Sequence, residues 1–198
     1  MEATRSEITA FIAEAVRGLY PEREARRIAL TAAAALSGES EAKFLADPNQ
    51  RVNIDGVERC AAQLAAGCPV QYVTGKTEFC DMTFHVDGSV LVPRPETEEL
   101  VLWAGQCAAG FQRPRILDVC TGSGCIAIVL AAHLPQAEVT ALDISHAAFE
   151  TARRNASMNG VRIRFIEDDA LNGMPSLAGE TFDIIVSVSY THSDAADE

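Results

Sequence analysis

The first third of the chain carries apolar residues at the three- and four-residue spacing of amphipathic helices. Thr4 and Glu7 form a T-x-x-E capping box, which predicts that the first helix begins beside them. Later helix starts are expected at Pro21, Ser40 and Asp55. The predicted inward positions of the first, second and fourth helices are Ile8, Phe11, Ile12, Ala15, Val16 and Leu19; Ala25, Ile28, Ala29, Ala32, Ala33 and Leu36; and Val57, Cys60, Ala61, Leu64 and Ala65. Residues 1–68 are therefore predicted to form a small helical domain.

From Pro69 the pattern changes to short runs rich in β-branched and aromatic residues: VQYV, EFCDMTFHV and SVLV. Gly75 separates the first two runs, and the Asp87-Gly88 pair is a strong hairpin signal. We therefore predict that residues 69–92 form a β-hairpin linker. Pro93 and Pro95 end it, and a helix with Leu100, Val101, Ala104 and Cys107 inward is expected to follow.

From Arg115 onward, predicted strands and helices alternate. The strands are RILDVC, VTALDI, RIRFIE and FDIIVS, and the helices are CIAIVLAAHL and the segment from Ser145 to Asn159-Gly160. This βαβ alternation is typical of a parallel sheet with helices on both faces. The fold class is therefore α/β, with a Rossmann-like domain over residues 93–187 that follows the helical domain.

Composition and charge exclude several classes of protein. The net charge of −12 argues against a protein that coats duplex nucleic acid, which needs basic residues against the phosphates. The six cysteines form no C-x-x-C pair and the four histidines do not cluster with them, so neither a zinc site nor a disulfide framework is expected. The N-terminus does not resemble a signal peptide, and no apolar run reaches the roughly 18 residues that span a bilayer. A cytoplasmic protein with reduced thiols, without membrane association or direct nucleic-acid binding, is expected.

The segment from Asp118 to Cys125, DVCTGSGC, connects an apolar strand to an apolar helix. Gly122 and Gly124 allow a sharp turn and close approach of a ligand, and such turns bind cofactors at the carboxyl end of a strand. The residue three after Gly124 is Ala127, so the G-x-G-x-x-G pattern of a dinucleotide site is incomplete. Asp118 before the turn suits a cationic ligand such as S-adenosylmethionine better than a pyrophosphate. A tight strand–helix turn without a ligand is the alternative.

Acidic residues also end the next two strands. Asp143 ends the second strand of the domain, where open α/β folds place an acid that binds ribose hydroxyls. Its alternative role is a charge at the N-terminus of the helix that begins at Ser145. Asp168 and Asp169 end the third strand, near the expected position of an adenine ring, although two adjacent carboxylates are equally typical of a solvated loop.

Two segments of this chain resemble a known family. GCPVQYVTGKTEF and SVLVPRPETEELV are similar to the region that joins the two domains of the bacterial release-factor glutamine methyltransferases. The resemblance covers residues 1 to about 187. It implies transfer of a methyl group from S-adenosylmethionine to the side-chain amide of the glutamine in the GGQ motif of peptide chain release factors. The helical domain would help to bind the release factor, and the sheet would have seven strands in the order 3-2-1-4-5-7-6.

The resemblance also implies roles for individual residues. Cys120, Thr121, Gly122, Ser123 and Gly124 would surround the methionine end of the cofactor, Asp143 would bind the ribose, and Asp169 and Ala170 would lie by the adenine. Cys120 departs from the glycine that is usual in the family, which predicts weaker binding or a shifted turn.

The family continues after FDIIVS with N-P-P-Y, whose asparagine orients the substrate amide, whereas this chain continues with Val188. Residues 188–198 are therefore interpreted as a tail unlike the family, after a methyltransferase domain that is truncated. No catalytic residue is assigned, no metal is expected, and negligible turnover is predicted.

Three other functions stay open from the sequence. A methyltransferase that acts on amino groups of nucleic-acid bases shares the N-P-P-Y chemistry, but the acidic charge and the QYVTG and PRPETE segments favour a protein substrate. A non-catalytic fragment that binds the cofactor or a release factor is the second. An NAD-dependent oxidoreductase is disfavoured by the glycine spacing.

Overall fold

The computed structural model describes residues 1–189 of the 198-residue chain. These residues form two compact units, Met1–Gly75 and a second unit that begins at Lys76. The part of the predicted tail from Tyr190 onward lies outside the described residues. No helix in the described range has the length and apolar character required to cross a membrane.

The first unit contains five helices and two short strands. In chain order these are β1 (Glu2–Thr4), α1 (Arg5–Ala15), α2 (Glu22–Ser37), α3 (Glu41–Ala46), β2 (Arg51–Asn53), α4 (Val57–Ala65) and α5 (Val70–Thr74). The sequence pattern does not predict β1 and β2, which pair antiparallel with Ala3 opposite Val52. Each has only three residues, which is too short for a periodicity of two to be recognised.

Two of the predicted N-terminal caps of these helices are present in the structure. The Glu7 N–H donates to Thr4 Oγ1 at 3.1 Å and the Thr4 N–H donates to Glu7 Oε2 at 2.7 Å, which confirms the capping box. Ser40 caps α3 as predicted. The predicted cap at Asp55 is wrong, because α4 begins after Gly56 in a left-handed conformation with no side-chain cap.

The core of the first unit is made of small and aliphatic side chains from α1, α2 and α4 around Phe44 of α3. Phe11 and Leu19, predicted to point inward, are 42% and 52% exposed. The row formed by Ile8, Ile12 and Val16 is the one that packs in a single core with the alanine-rich face of α2.

The conformation of residues 69–75 differs from the predicted hairpin linker. The run VQYV forms α5 instead of a strand, after Pro69 at its N-cap and before Gly75 at φ +70°. Val70 and Val73, three residues apart, pack against the core of the first unit. A contact with an existing helical core therefore outweighs the β preference of valine, which depends on context.

The second unit begins with a hairpin of β3 (Lys76–Phe79) and β4 (Met82–His85). Its turn is Cys80-Asp81, with φ of 48° and 60°. Two-residue turns with both φ values positive match the twist of the strands they join, and an N–H···O bond of 2.9 Å from Cys80 to Glu98 Oε1 holds this one. The predicted hairpin signal at Asp87-Gly88 is instead a turn that joins no two strands, in which the Val90 N–H donates to Asp87 O at 3.2 Å. Phe79 and Phe84 of the hairpin are buried in the core of this unit, so the hairpin is part of it.

The remaining predicted strand of that segment, SVLV, is irregular backbone. Asp87 accepts hydrogen bonds from the N–H and the hydroxyl of Ser89 at 2.8 and 2.5 Å, and these bonds lower the pKa of Asp87. Such side-chain turns compete with a strand conformation because they satisfy the backbone locally.

The rest of the unit is α6 (Glu96–Ala108), β5 (Arg115–Val119), α7 (Cys125–His133), β6 (Glu138–Asp143), α8 (His146–Met158), β7 (Arg164–Glu167) and β8 (Ile184–Ser187). The four strands from β5 to β8 form a parallel sheet in the order β7-β6-β5-β8. This order corresponds to 3-2-1-4, the first part of the order implied by the resemblance, and it confirms the α/β, Rossmann-like fold class. In α6, Cys107 is exposed and Ala108 is buried instead, one position from the prediction.

Helices on both faces of the sheet were expected, but α6, α7 and α8 contribute to a single core with Ile116 of β5 and Val139 of β6. The strand order explains this for α7 and α8, because β5, β6 and β7 follow one another in one direction across the sheet. Right-handed crossovers between these strands place both connecting helices on the same face. The chain must cross to the other face to reach β8, and Leu177 from that connection packs there with Leu117 and Leu142. The direction of winding therefore reverses beside β5, which is where open α/β sheets bind ligands.

Candidate functional site

Residues 120–124 form a tight turn between the carboxyl end of β5 and the start of α7. Cys120, Gly122 and Gly124 have φ of 61°, 54° and 80°, in the left-handed region that favours glycine. The Thr121 N–H donates to Leu142 O of β6 at 3.0 Å, and the Gly124 N–H donates to Thr121 O at 2.8 Å. Backbone hydrogen bonds thus fix the turn both to itself and to the neighbouring strand.

Asp118 lies beneath this turn with no solvent exposure. Its Oδ2 accepts from the Thr121 hydroxyl at 2.6 Å and from the Ala127 N–H in the first turn of α7 at 3.2 Å. The other oxygen, Oδ1, is buried and has no hydrogen-bond partner among the described residues. Burial of this carboxyl raises its pKa from 3.8 to about 7, although the bonds to Thr121 and Ala127 act in the opposite direction.

An unpaired buried oxygen is uncommon and costly, and it requires an explanation. A cationic group of a bound ligand near Asp118 would satisfy Oδ1 and stabilise the ionised carboxylate. The carboxyl therefore fits a ligand with a positive charge better than a pyrophosphate, whose negative charge would raise the cost of ionising Asp118 further.

Asp143, at the end of β6, lies beside the turn with 9% of its surface exposed. Its Oδ2 accepts from the Gly122 N–H at 2.8 Å and its Oδ1 accepts from the Ser145 N–H at 3.0 Å. One carboxylate therefore holds both the turn and the loop that starts α8. Each oxygen has a second lone pair, which leaves capacity for hydroxyl groups of a ligand.

The two glycines of the turn have different surroundings. A Cβ at Gly124 would lie 3.0 Å from Ile128 Cδ1 and 3.1 Å from Ala152 Cβ, so this glycine allows α7 and α8 to approach each other. A Cβ at Gly122 would meet nothing within 4 Å. Gly122 therefore faces open space, and this side of the turn is where a ligand can approach the backbone.

The predicted residues after β7 lie next to β6, because Asp143 is opposite Glu167 in the sheet. Asp169 caps a single 3-10 turn, Ala170–Asn172, by accepting from the Leu171 N–H at 2.8 Å. Ala170 packs with Cys120 against one apolar cluster. The neighbouring Asp168 accepts from the Ser176 N–H, which together with the N–H of Asp169 lowers its pKa.

The sequence-predicted residues thus form two groups. Asp118, Asp143 and the turn are joined by direct hydrogen bonds, whereas Asp169 and Ala170 lie beside them across β6. The conformation of Cys120 also explains why a glycine suits its position, since φ of +61° costs a residue with a Cβ about 1–2 kcal/mol.

Two residues at the site are not among those predicted from the sequence. Asn155 of α8 is fully buried and donates to the Ser123 carbonyl at 2.9 Å, and a single asparagine on a helix face gives no sequence signal for such a contact. Ile144 is 66% exposed directly after Asp143, so an apolar side chain faces solvent next to this carboxylate. The sequence does carry a signal for Ile144. It stands between the acid that ends β6 and Ser145, which caps α8, so it is an apolar residue in a loop position.

Among residues 1–189 no group of three or more histidine, cysteine, aspartate or glutamate side chains is arranged to hold a metal ion. The six cysteines are free.

Comparison with known proteins gives consistent matches. Residues 116–198 match the family described as "Methyltransferase domain". The release factor glutamine methyltransferase of Flavobacterium psychrophilum is 45% identical over 133 residues, which are 66% of this chain and 46% of that protein. That of Chlorobaculum tepidum is 50% identical over 129 residues, 61% of this chain and 44% of that protein. That of Bacteroides thetaiotaomicron is 34% identical over 187 residues, 91% of this chain and 65% of that protein.

The matched part of this chain therefore spans a little under half the length of the first two of these relatives.

Proposed function

Because this chain belongs to the family of the release factor glutamine methyltransferases, we propose that it forms the cofactor-binding part of an enzyme that methylates peptide chain release factors. The cofactor is S-adenosylmethionine, and the acceptor is the side-chain amide of the GGQ glutamine. The observation that carries this proposal is the turn with its open side at Gly122, between the unpaired buried oxygen of Asp118 and the carboxylate of Asp143.

Each residue of the site has a role in this proposal. Asp118 and the turn from Cys120 to Gly124 bind the methionine end of the cofactor, whose ammonium complements the buried carboxyl. Asp143 binds the ribose hydroxyls with the lone pairs that its two backbone N–H partners leave free. Ile144, Asp169 and Ala170 surround the adenine.

When bound, S-adenosylmethionine supplies an electrophilic methyl group on a sulfonium. An amide nitrogen is a poor nucleophile, so the protein contributes mainly by holding the acceptor in line, and positioning of this kind supplies about 7–11 kcal/mol in favourable cases. In the family an asparagine after the strand of β8 provides acceptors for the amide N–H groups. Val188 stands there in this chain and its side chain has no acceptor, so we expect cofactor binding with negligible methyl transfer by this polypeptide.

Titration calorimetry with S-adenosylhomocysteine and with NAD tests the cofactor. We expect the chain to bind S-adenosylhomocysteine and not NAD, and Asp143→Ala to weaken the binding at least about tenfold, the loss expected for one or two hydrogen bonds to a charged group. Asp183→Ala is a matched control, because Asp183 also accepts a backbone N–H, that of Arg115, but at the opposite end of β5. Binding of NAD in place of S-adenosylhomocysteine would contradict the proposal.

The protein partner requires a separate test. Radiolabelled methyl transfer from S-adenosylmethionine to a release factor, with duplex DNA as the competing acceptor, distinguishes a protein substrate from a nucleic-acid one. A Val188→Asn variant serves beside the wild type, since it restores the acceptor that the family carries. Labelling of DNA in preference to the release factor would refute the proposed substrate.

A further inference from the structure

Asn155 is a buried polar residue that connects two distant segments of the second unit. It lies in the C-terminal half of α8 with no solvent exposure. Its Oδ1 accepts from the His85 N–H at 2.7 Å, and its amide donates to His85 O and to Ser123 O, both at 2.9 Å. The side chain therefore joins β4 to the turn at residues 120–124.

Asn155 belongs to a polar row that runs along α8 to its C-cap residue, Asn159, with a spacing of four residues, which places its members on one face of the helix. One turn earlier, the Thr151 hydroxyl lies 3.2 Å from that of Ser89, and one turn later Asn159 donates to Thr83 O at 3.1 Å. The row holds the segment from Thr83 to Ser89 along α8. Within it, Asn155 is the residue that also reaches the turn.

The bond to Ser123 determines the orientation of one peptide group in the turn. The Ser123 carbonyl points inward to Asn155, while the N–H of the same peptide group, that of Gly124, donates to Thr121 O. Both ends of this peptide group are thus satisfied inside the protein. Without the amide of Asn155 the buried carbonyl would lose its partner, which favours rotation of the peptide toward solvent.

We infer that Asn155 is a positioning residue for cofactor binding: by fixing the Ser123–Gly124 peptide and the backbone of His85 together, it holds the turn in the conformation that receives the methionine end of the cofactor. This inference rests on the proposed function for its ligand. Asn155 acts through the turn and is not itself assigned a contact with the cofactor.

The first test needs no ligand. Hydrogen exchange of the free protein is compared for the wild type, Asn155→Asp and Asn159→Ala. Asn155→Asp retains an acceptor for the His85 N–H but removes the amide donors, whereas Asn159 donates to Thr83 and to the backbone of its own helix. We expect the Gly122 and Gly124 amides to exchange about tenfold faster in Asn155→Asp, the effect of one hydrogen bond, with β6 unchanged. Equal acceleration throughout the unit, or none at the turn, would overturn the inference.

The second test compares two ligands that share a nucleoside. S-adenosylhomocysteine carries the amino-acid end that the turn is proposed to bind, and 5′-methylthioadenosine lacks it. Asn155→Asp should weaken the first about tenfold and leave the second unchanged, while Asn159→Ala should change neither. Equal weakening of both ligands would indicate a merely structural role and refute the inference. If the wild type bound neither ligand, the proposed function would fail, and the exchange experiment would still decide the role of Asn155 in the turn.

A measurement on the wild type covers the case in which Asn155→Asp does not fold. The side-chain amides of Asn155 and Asn159 each donate to two backbone carbonyls, but Asn155 is fully buried and Asn159 only half-buried. The amide protons of Asn155 should therefore exchange far more slowly than those of Asn159. Exchange at a similar rate would show that the bridge to Ser123 does not persist, and the inference would be wrong.

Discussion

The replacement of Gly124 by alanine tests how the turn is built, with the same change at Gly122 as its matched control. Both glycines have positive φ, so alanine at either position introduces strain of about 1–2 kcal/mol. Only Gly124 is also crowded. Its new Cβ would lie 3.1 Å from Ala152 Cβ and 3.4 Å from Ala152 Cα, and these atoms move only if α8 moves.

Overpacking of this kind costs about 1–3 kcal/mol. Gly124→Ala should therefore be destabilised by about 1–3 kcal/mol more than Gly122→Ala, because the Gly122 Cβ meets nothing within 4 Å. Urea unfolding followed by circular dichroism measures the free energy of unfolding of each variant. The Ile128 contact at 3.0 Å adds little, since the end of a flexible side chain can rotate away.

The loss of ligand affinity should rank the two variants in the opposite order. Gly122→Ala places a methyl group on the open side of the turn, so it should lose affinity for S-adenosylhomocysteine with only a modest loss of stability. A double-mutant cycle of Gly124→Ala with Ala152→Gly should show favourable coupling, since the second change removes the Cβ at 3.1 Å. Equal destabilisation by the two alanine variants, together with zero coupling, would refute the packing argument.

Three further predictions concern stability. The pKa of Asp118 is raised from 3.8 to about 7 in the folded protein, so the stability that this group contributes is complete below pH 3.8 and is lost as the pH rises through 7. Asp118→Asn should therefore flatten the fall in unfolding free energy between about pH 4 and pH 7, and an equal fall in both proteins would contradict this. Cys120→Gly should stabilise the chain by about 0.5–1 kcal/mol, because relief of the left-handed strain exceeds the entropy cost of glycine. Cys120→Ala keeps the strain, so it should give no gain in free energy of unfolding in the same urea experiment. Ser145→Ala should lower the thermal midpoint by the equivalent of about 1 kcal/mol, since the Ser145 hydroxyl accepts from the Ala148 N–H at the start of α8; an unchanged midpoint would show that this cap does not stabilise the helix.

The sequence by itself determined the features that depend on near neighbours. The capping box at Thr4 and Glu7, the alternation of strands and helices from Arg115 and the glycine turn all arise from residues within a few positions of one another. The sequence also predicts a chemistry for the turn, since an acid before two spaced glycines favours a cation over a pyrophosphate.

Tertiary structure decided the rest, because contacts between distant residues leave no local pattern. The helix at Val70–Thr74 forms where its valines reach an existing core, and the hairpin turns at Cys80-Asp81 because Glu98, 18 residues away, holds it there. Only the packing of α7 on α8 explains why Gly124 must be a glycine. Asn155 bonds to His85, 70 residues earlier in the chain, and no periodicity or motif predicts a bond across that distance. Local preferences thus specified most of the helices and strands. The geometry of the turn was fixed by burial, because a buried polar atom needs a hydrogen-bond partner and only the tertiary fold brings that partner near.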